Sequence, residues 1–177
     1  MMARHIAPGL RRTFSFEDWN WIDDRLIQEV RTEATKKINR DLVLDIMGTD
    51  IDARMVEIAK ENAQKAGVAS DITFKQMRVQ DLRSDKLNGV IISNPPYGER
   101  LSDDAGVTKL YAEMGEVLAP LKTWSKFILT SDENFEKKFG RQADKKRKLY
   151  NGTLKVDLYQ FFGERVRRQA TSEKGNI

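Results

Sequence analysis

The 177-residue chain is 40% hydrophobic and 33% charged, with 31 basic and 27 acidic side chains, enough apolar material for one domain with a real core. The absence of cysteine excludes disulfides and thiolate metal sites, and with His5 as the sole histidine, read as a surface or helix residue, no metal centre is expected. No apolar run is long enough to span a membrane, and Arg4, His5, Arg11 and Arg12 interrupt any secretory segment, so a cytoplasmic location is expected.

In chain order, Phe14-Ser15-Phe16-Glu17-Asp18-Trp19-Asn20-Trp21 reads as an aromatic approach to an amphipathic helix carrying Ile22, Leu26, Ile27 and Val30, with Ser15 and Asp18 as a capping pair. These aromatics could stack bases, but docking of the helix on a sheet is the favoured reading. Asp41 to Asp50 reads as a strand passing directly into a helix that carries Met55, Ile58, Ala59 and Ala63. Open α/β sheets bind ligands at the carboxyl ends of their strands, and an acid at the second strand's end takes ribose hydroxyls, which makes Asp50 the candidate for that role. The alternative is that Asp50 or Asp52 caps the helix; the reading adopted gives the cap to Asp52.

Asp71 to Met77 alternates like a half-buried strand, and Asp81 in the loop after it could accept from an adenine amino group or be a solvated loop residue. Val90-Ile91-Ile92, bounded by Asn88-Gly89, reads as a short buried strand ending at Asn94-Pro95-Pro96-Tyr97. The two prolines stiffen this loop and remove two backbone donors, so it offers a ligand mainly carbonyl oxygens and the Asn94 amide. Such acceptors suit an exocyclic NH2: Asn94 and the Pro95 carbonyl would hold its hydrogens while Tyr97 clamps the ring. A plain Pro-Pro turn capped by Asn is the alternative.

Ala105 to Leu121 places Val107, Leu110, Tyr111, Met114, Val117 and Leu118 at helical spacing, a core helix ended near Pro120. Trp124 to Thr130 reads as a strand, Asn134 to Phe139 as a short helix before Gly140, and Asn151-Gly152 as the turn of a hairpin whose second strand runs from Leu154 to Phe161. Lys137, Lys138, Arg141 and Lys145-Lys146-Arg147-Lys148 crowd together, with Arg165, Arg167 and Arg168 beyond. This is either a phosphate-contacting patch or a solvated face. The pattern is an α/β doubly wound sheet with a terminal antiparallel hairpin, a domain over 1–168 and a frayed tail over 169–177.

Asn94-Pro95-Pro96-Tyr97-Gly98-Glu99-Arg100-Leu101, the Gly48-Thr49-Asp50-Ile51-Asp52 strand end and Ala7-Pro8-Gly9 together resemble the catalytic domain of bacterial large-subunit ribosomal RNA guanine-N2 methyltransferases, from about His5 to Val166. The tetrapeptide is shared with adenine-N6 and some glutamine methyltransferases; the Gly-Glu-Arg-Leu continuation favours the guanine-N2 branch. The resemblance implies a class I, Rossmann-like fold, S-adenosylmethionine as cofactor, and methyl transfer to a guanine N2 in 23S ribosomal RNA. Taken with the residue readings above, it gives expected catalytic roles to Asn94, Pro95, Pro96 and Tyr97, cofactor contacts to Asp50, Ile51, Asp81 and Asn94, and RNA contacts to Arg100 and to Lys145, Lys146, Arg147 and Lys148 of the basic cluster. The family's first strand and glycine-rich cofactor loop, and its upstream RNA-binding domain, have no counterpart here. The chain thus reads as amino-terminally truncated, with two strand edges exposed and weak or absent cofactor binding. An RNA-binding remnant without catalysis and a homodimer covering those edges are the alternatives.

Overall fold

The computed structural model describes residues 1–97 and 104–165. They form two compact units, the first Met1–Arg78 and the second made of the described residues from Val79 onward. No helix among the described residues is long and apolar enough to cross a membrane.

In the first unit, α1 (Asp24–Lys36) precedes a βαβ arrangement of β1 (Ile46–Asp50), α2 (Ala53–Ala66) and β2 (Ile72–Gln76). The two strands are parallel, with Ile46 opposite Ile72 and Asp50 opposite Gln76. β1 is shorter than the run Asp41 to Asp50 suggests, because the carbonyls of Asn39, Arg40 and Leu42 are bonded to the Arg4 guanidinium instead of to a strand. The α1 cap also differs: Asp23, not Ser15, accepts the Arg25 amide at 2.8 Å, and Ser15 to Asp18 form a separate 3-10 turn. Nor is the apolar stripe of α1 docked on the β1-β2 sheet of its own unit. Leu26 and Val30 are exposed and none of its residues is buried. Polar clamping holds the helix instead, through Arg31, which donates to the Leu10 carbonyl at 2.9 Å and the Arg12 carbonyl at 2.8 Å and also pairs with Glu17.

In the second unit, β3 (Val90–Ser93), α3 (Asp104–Leu118) and β4 (Ser125–Thr130) make a parallel crossover, and α4 (Phe135–Phe139) leads to the hairpin β5 (Lys145–Asn151) and β6 (Leu154–Phe161). The sheet order is β3-β4-β6-β5; the reversed strand is β6, antiparallel to both neighbours and one place in from the edge that β5 forms. The run Val90 to Ile92 is not buried throughout, because β3 is an edge strand with one covered face: Ile91 packs on the core while Ile92 is 80% exposed. Among the described residues each sheet ends in an open strand, since β1 pairs with β2 alone and β3 with β4 alone. The hairpin turn lies one residue later than Asn151-Gly152 suggests. Asn151 still pairs with Leu154, and Gly152 at φ 62° followed by Thr153 has the pattern of a type II′ turn.

The core sits between α3, α4 and the inner face of this sheet, centred on Phe135. Its ring meets those of Tyr159 at 4.7 Å, Tyr111 at 4.9 Å and Phe139 at 5.0 Å. Burying such a ring is worth roughly 2–3 kcal/mol, and each edge or offset pairing adds about 1 kcal/mol. Gly115 lets α4 approach α3 backbone to backbone: a Cβ there would lie 2.0 Å from the Phe139 carbonyl oxygen.

Burial, reinforced by Asp157, pushes the Tyr159 phenol up to about 12, and burial raises Tyr111 as well. An unfolded tyrosine ionises near pH 10. The stability these phenols contribute is therefore complete below pH 10 and lost as pH rises through 12. Urea midpoints measured across that window should fall for the wild-type chain and fall less steeply for Tyr159→Phe; equal slopes would contradict this assignment.

Candidate functional site

The loop Asn94 to Tyr97 begins directly after β3, at the carboxyl end of a parallel pair, where ligands of open α/β sheets bind. Asn94 is exposed, Pro95 buried, Pro96 exposed and Tyr97 half-buried. Neither the Asn94 amide nor the Pro95 carbonyl has a hydrogen-bond partner among the described residues. The Pro96 carbonyl does: the Tyr111 hydroxyl donates to it at 3.2 Å.

That bond fixes the sense of a short chain of hydroxyls. A carbonyl can only accept, so Tyr111 spends its single proton on Pro96 and must accept from the Thr130 hydroxyl 2.9 Å away. Thr130 in turn accepts the Asp132 amide at 3.1 Å. Tyr111 and Thr130 are both fully buried. Burial raises the phenol's pKa, outweighing the opposing effect of the Thr130 hydrogen bond, so Tyr111 stays a donor at neutral pH. The loop is thus divided: Pro96 is anchored to the core, while the acceptors of Asn94 and Pro95 carry no hydrogen bond among the described residues. Sequence periodicity places Tyr111 in the core but misses this role. The available signal is that the position holds Tyr and not Phe, since a buried phenol needs a partner.

Asp81 ends a 3-10 turn, Val79–Asp81, whose Val79 packs on the core together with the following Leu82. Its carboxylate is exposed and without a partner among the described residues. In the first unit, Asp50 ends β1. One carboxylate oxygen accepts the Asp52 amide at 2.8 Å, and the other makes no hydrogen bond among the described residues. Asp52 is the N-cap of α2, accepting the Arg54 amide at 2.9 Å, and its pKa is lowered mainly by hydrogen bonds from Arg54. The capping is therefore shared: Asp52 caps the helix and half of Asp50 holds the turn before it. Ile51 is 63% exposed beside it.

The basic strand is less uniform than its sequence. Side chains alternate on β5, so Lys145 and Arg147 lie on one face, Lys146 and Lys148 on the other. Lys146 donates to Glu136 at 2.8 Å, a bond that raises the lysine pKa and lowers that of the glutamate, so this charge is already compensated. Lys145, Arg147 and Lys148 have no ion-pair partner among the described residues. Lys138 pairs with Asp132 and Arg141 with Asp144. Arg100, Arg167 and Arg168 lie outside the described residues.

The profile of UPF0020, an RMKL-like methyltransferase domain, matches residues 1–160. The chain is 49% identical over 172 residues to the candidate RNA methyltransferase YpsC of Bacillus subtilis, covering 97% of the chain and 45% of that protein. It is 37% identical over 161 residues to the ribosomal RNA large subunit methyltransferase K/L of Legionella pneumophila, covering 90% of the chain and 23% of that protein. Among solved structures, SMU.472, a candidate methyltransferase in complex with S-adenosylhomocysteine, superimposes with a TM-score of 0.91 at 60% identity, over 94% of the chain and 44% of that one. A protein described as an N6-adenine-specific DNA methylase from Listeria monocytogenes superimposes at 0.85 with 47% identity, over 92% of the chain and 42% of that one. The chain thus spans less than half the length of each.

Tyr111→Phe removes the anchor of Pro96 and leaves Thr130 without its acceptor. The expected loss is about 1–2 kcal/mol in urea unfolding, with faster hydrogen exchange at the Tyr97 amide. Unchanged exchange at Tyr97 would mean the hydroxyl does not hold the loop.

Proposed function

The chain belongs to the UPF0020 family, an RMKL-like methyltransferase domain, and from that premise we propose that it carries the catalytic site of an S-adenosylmethionine-dependent RNA methyltransferase acting on the exocyclic N2 amine of a guanine in 23S ribosomal RNA. The observation carrying this reading is the pair of unclaimed acceptors, the Asn94 amide oxygen and the Pro95 carbonyl, in a loop whose next carbonyl is tied to buried Tyr111. S-adenosylmethionine, when bound, supplies a methyl group activated by its sulfonium.

The residues of this chain orient the acceptor nitrogen. Asn94 and Pro95 accept the two amine hydrogens, which turns the nitrogen lone pair out of the base plane, and Tyr97 stacks on the ring. Anchoring of Pro96 makes those acceptors preorganised. The free oxygen of Asp50 fits a ribose hydroxyl, the exposed face of Ile51 fits an apolar ring, and the Asp81 carboxylate fits an adenine amine. Lys145, Arg147 and Lys148 contact RNA phosphates, with Lys146 contributing less because Glu136 already holds it. A base inside a helix must be splayed out to reach such a loop, at a cost of a few kcal/mol, which favours an unpaired or opened segment as substrate.

The Listeria structure supports a second reading, transfer to an adenine N6, for which the same two acceptors suffice. Incubation with 23S ribosomal RNA and S-adenosylmethionine, followed by nucleoside analysis, separates the two. N2-methylguanosine is expected, formed slowly because cofactor binding by this chain is expected to be weak; N6-methyladenosine would favour the second reading, and salt-dependent RNA binding with no methylation would leave a binding remnant. Asn94→Ala should lower the methylation rate by about 100-fold or more.

Asp50→Asn keeps an oxygen for the Asp52 amide while removing the charge. It should weaken S-adenosylhomocysteine binding about tenfold, measured by calorimetry, at an unchanged melting temperature. Equal affinity would release Asp50 from the cofactor.

A further inference from the structure

The first unit holds a cavity of about 650 Å³ between its amino-terminal turns, the end of α2 and the residues just before β2. Arg4, Arg11, Arg12, Arg40 and Lys65 line it, and Asp71 is the sole acidic residue among the lining residues. Asp71 is committed. It receives two bonds from Arg4, at 2.6 and 2.7 Å, and the remaining three donors of that guanidinium reach the carbonyls of Asn39, Arg40 and Leu42. All five N–H groups of Arg4 are thereby used, and its charge is matched by Asp71, whose pKa it lowers.

The other four cations have no carboxylate partner among the described residues. Two of them are nonetheless well placed. Arg11 lies over Gly67, close enough that a Cβ there would meet its guanidinium at 2.6 Å, and Arg12 stacks on Phe14 at 4.4 Å. The segment bearing both is held by Arg31 through the Leu10 and Arg12 carbonyls. The end of α2 offers Arg11 a partial negative charge, about half an elementary charge, which does not balance four cations. Like charges gathered around one concave space and left uncompensated raise the free energy of the fold unless an anion joins them. All four side chains are exposed, but the clamped backbone of the 9–12 turn keeps Arg11 and Arg12 from diverging.

We infer that this cavity is a binding site for phosphate groups, with Arg11, Arg12, Arg40 and Lys65 as the phosphate ligands and Arg4 as the strut that shapes it. Planar guanidinium groups match the geometry of phosphate oxygens, and the volume suits two or three phosphates. The site is separate from Asp50. It opens at the amino end of β2 whereas Asp50 closes the carboxyl end of the parallel β1, roughly 13 Å along the strands. It does not depend on the chain's being a methyltransferase. The phosphates could belong to a nucleic-acid backbone or to a free phosphorylated molecule, which share this chemistry.

Calorimetric titration of inorganic pyrophosphate into the chain tests the site. Binding that weakens with salt is expected, falling about tenfold or more in Arg11→Gln/Arg40→Gln and remaining unchanged in Lys75→Gln/Lys122→Gln, two exposed lysines away from the cavity lining. Competition by a single-stranded RNA oligonucleotide would assign the phosphates to a nucleic-acid backbone, and its failure to compete would assign them to a small molecule. No pyrophosphate binding, equal affinity in the arginine variant, or loss in the lysine variant overturns the proposal. Should the arginine variant fail to fold, phenylglyoxal modification of the unaltered chain gives the same answer. Pyrophosphate must protect Arg11 and Arg40, and protection confined to other arginines refutes the site.

Discussion

One buried proton, on the Tyr111 hydroxyl, organises the second unit. It is donated to the Pro96 carbonyl, so the helix that carries Tyr111, the strand that carries Thr130 and the loop after β3 share a single hydrogen-bonded chain. Each link has its direction set by the one before it, since a carbonyl cannot donate and a hydroxyl has one proton to give. A loop that ends a strand would ordinarily be among the mobile parts of a protein. Here two prolines restrict its torsions and a fully buried phenol holds its third carbonyl, so what it presents is a fixed pair of acceptors. The aromatic cluster around Phe135 matters to that loop because it sets the position of the Tyr111 ring.

The two units are stabilised by different means. In the second, ten buried side chains among the described residues form one cluster, and apolar contact dominates. The first has few buried side chains, Val56, Ala63 and Val68, and relies on two arginines used as brackets. Arg4 gathers three backbone carbonyls and a carboxylate; Arg31 gathers two carbonyls and Glu17. A lysine in either place would supply one point charge in place of a fork, and could not reach carbonyls on separate turns at once.

Much of this was legible in the residues. Strand–helix alternation, the core periodicity of Val107 to Leu118, the reversed hairpin and the acceptor-rich loop all follow from local pattern, because each is governed by side-chain spacing or by proline and glycine backbone limits. What escaped depends on distance in space. The apolar run at Val90 looks buried because a sequence cannot say that its strand lies at an edge. Leu26 and Val30 look like a docking stripe, though the contacts that hold α1 come from Arg31. Lys145 to Lys148 look like one patch until strand alternation divides them and Glu136 claims Lys146. The Tyr111 hydroxyl is invisible to hydropathy, which counts only its ring.

The reliance of the first unit on arginine brackets has a calorimetric corollary. The heat-capacity increment of unfolding grows with apolar surface released and shrinks with polar surface released. A unit held by guanidinium–carbonyl bonds should therefore have a shallow temperature dependence of stability, and the aromatic-cored unit a sharply domed one. The balance of robustness between the two halves of this polypeptide would then shift with temperature: cooling erodes the apolar half's advantage faster than that of the bracketed half.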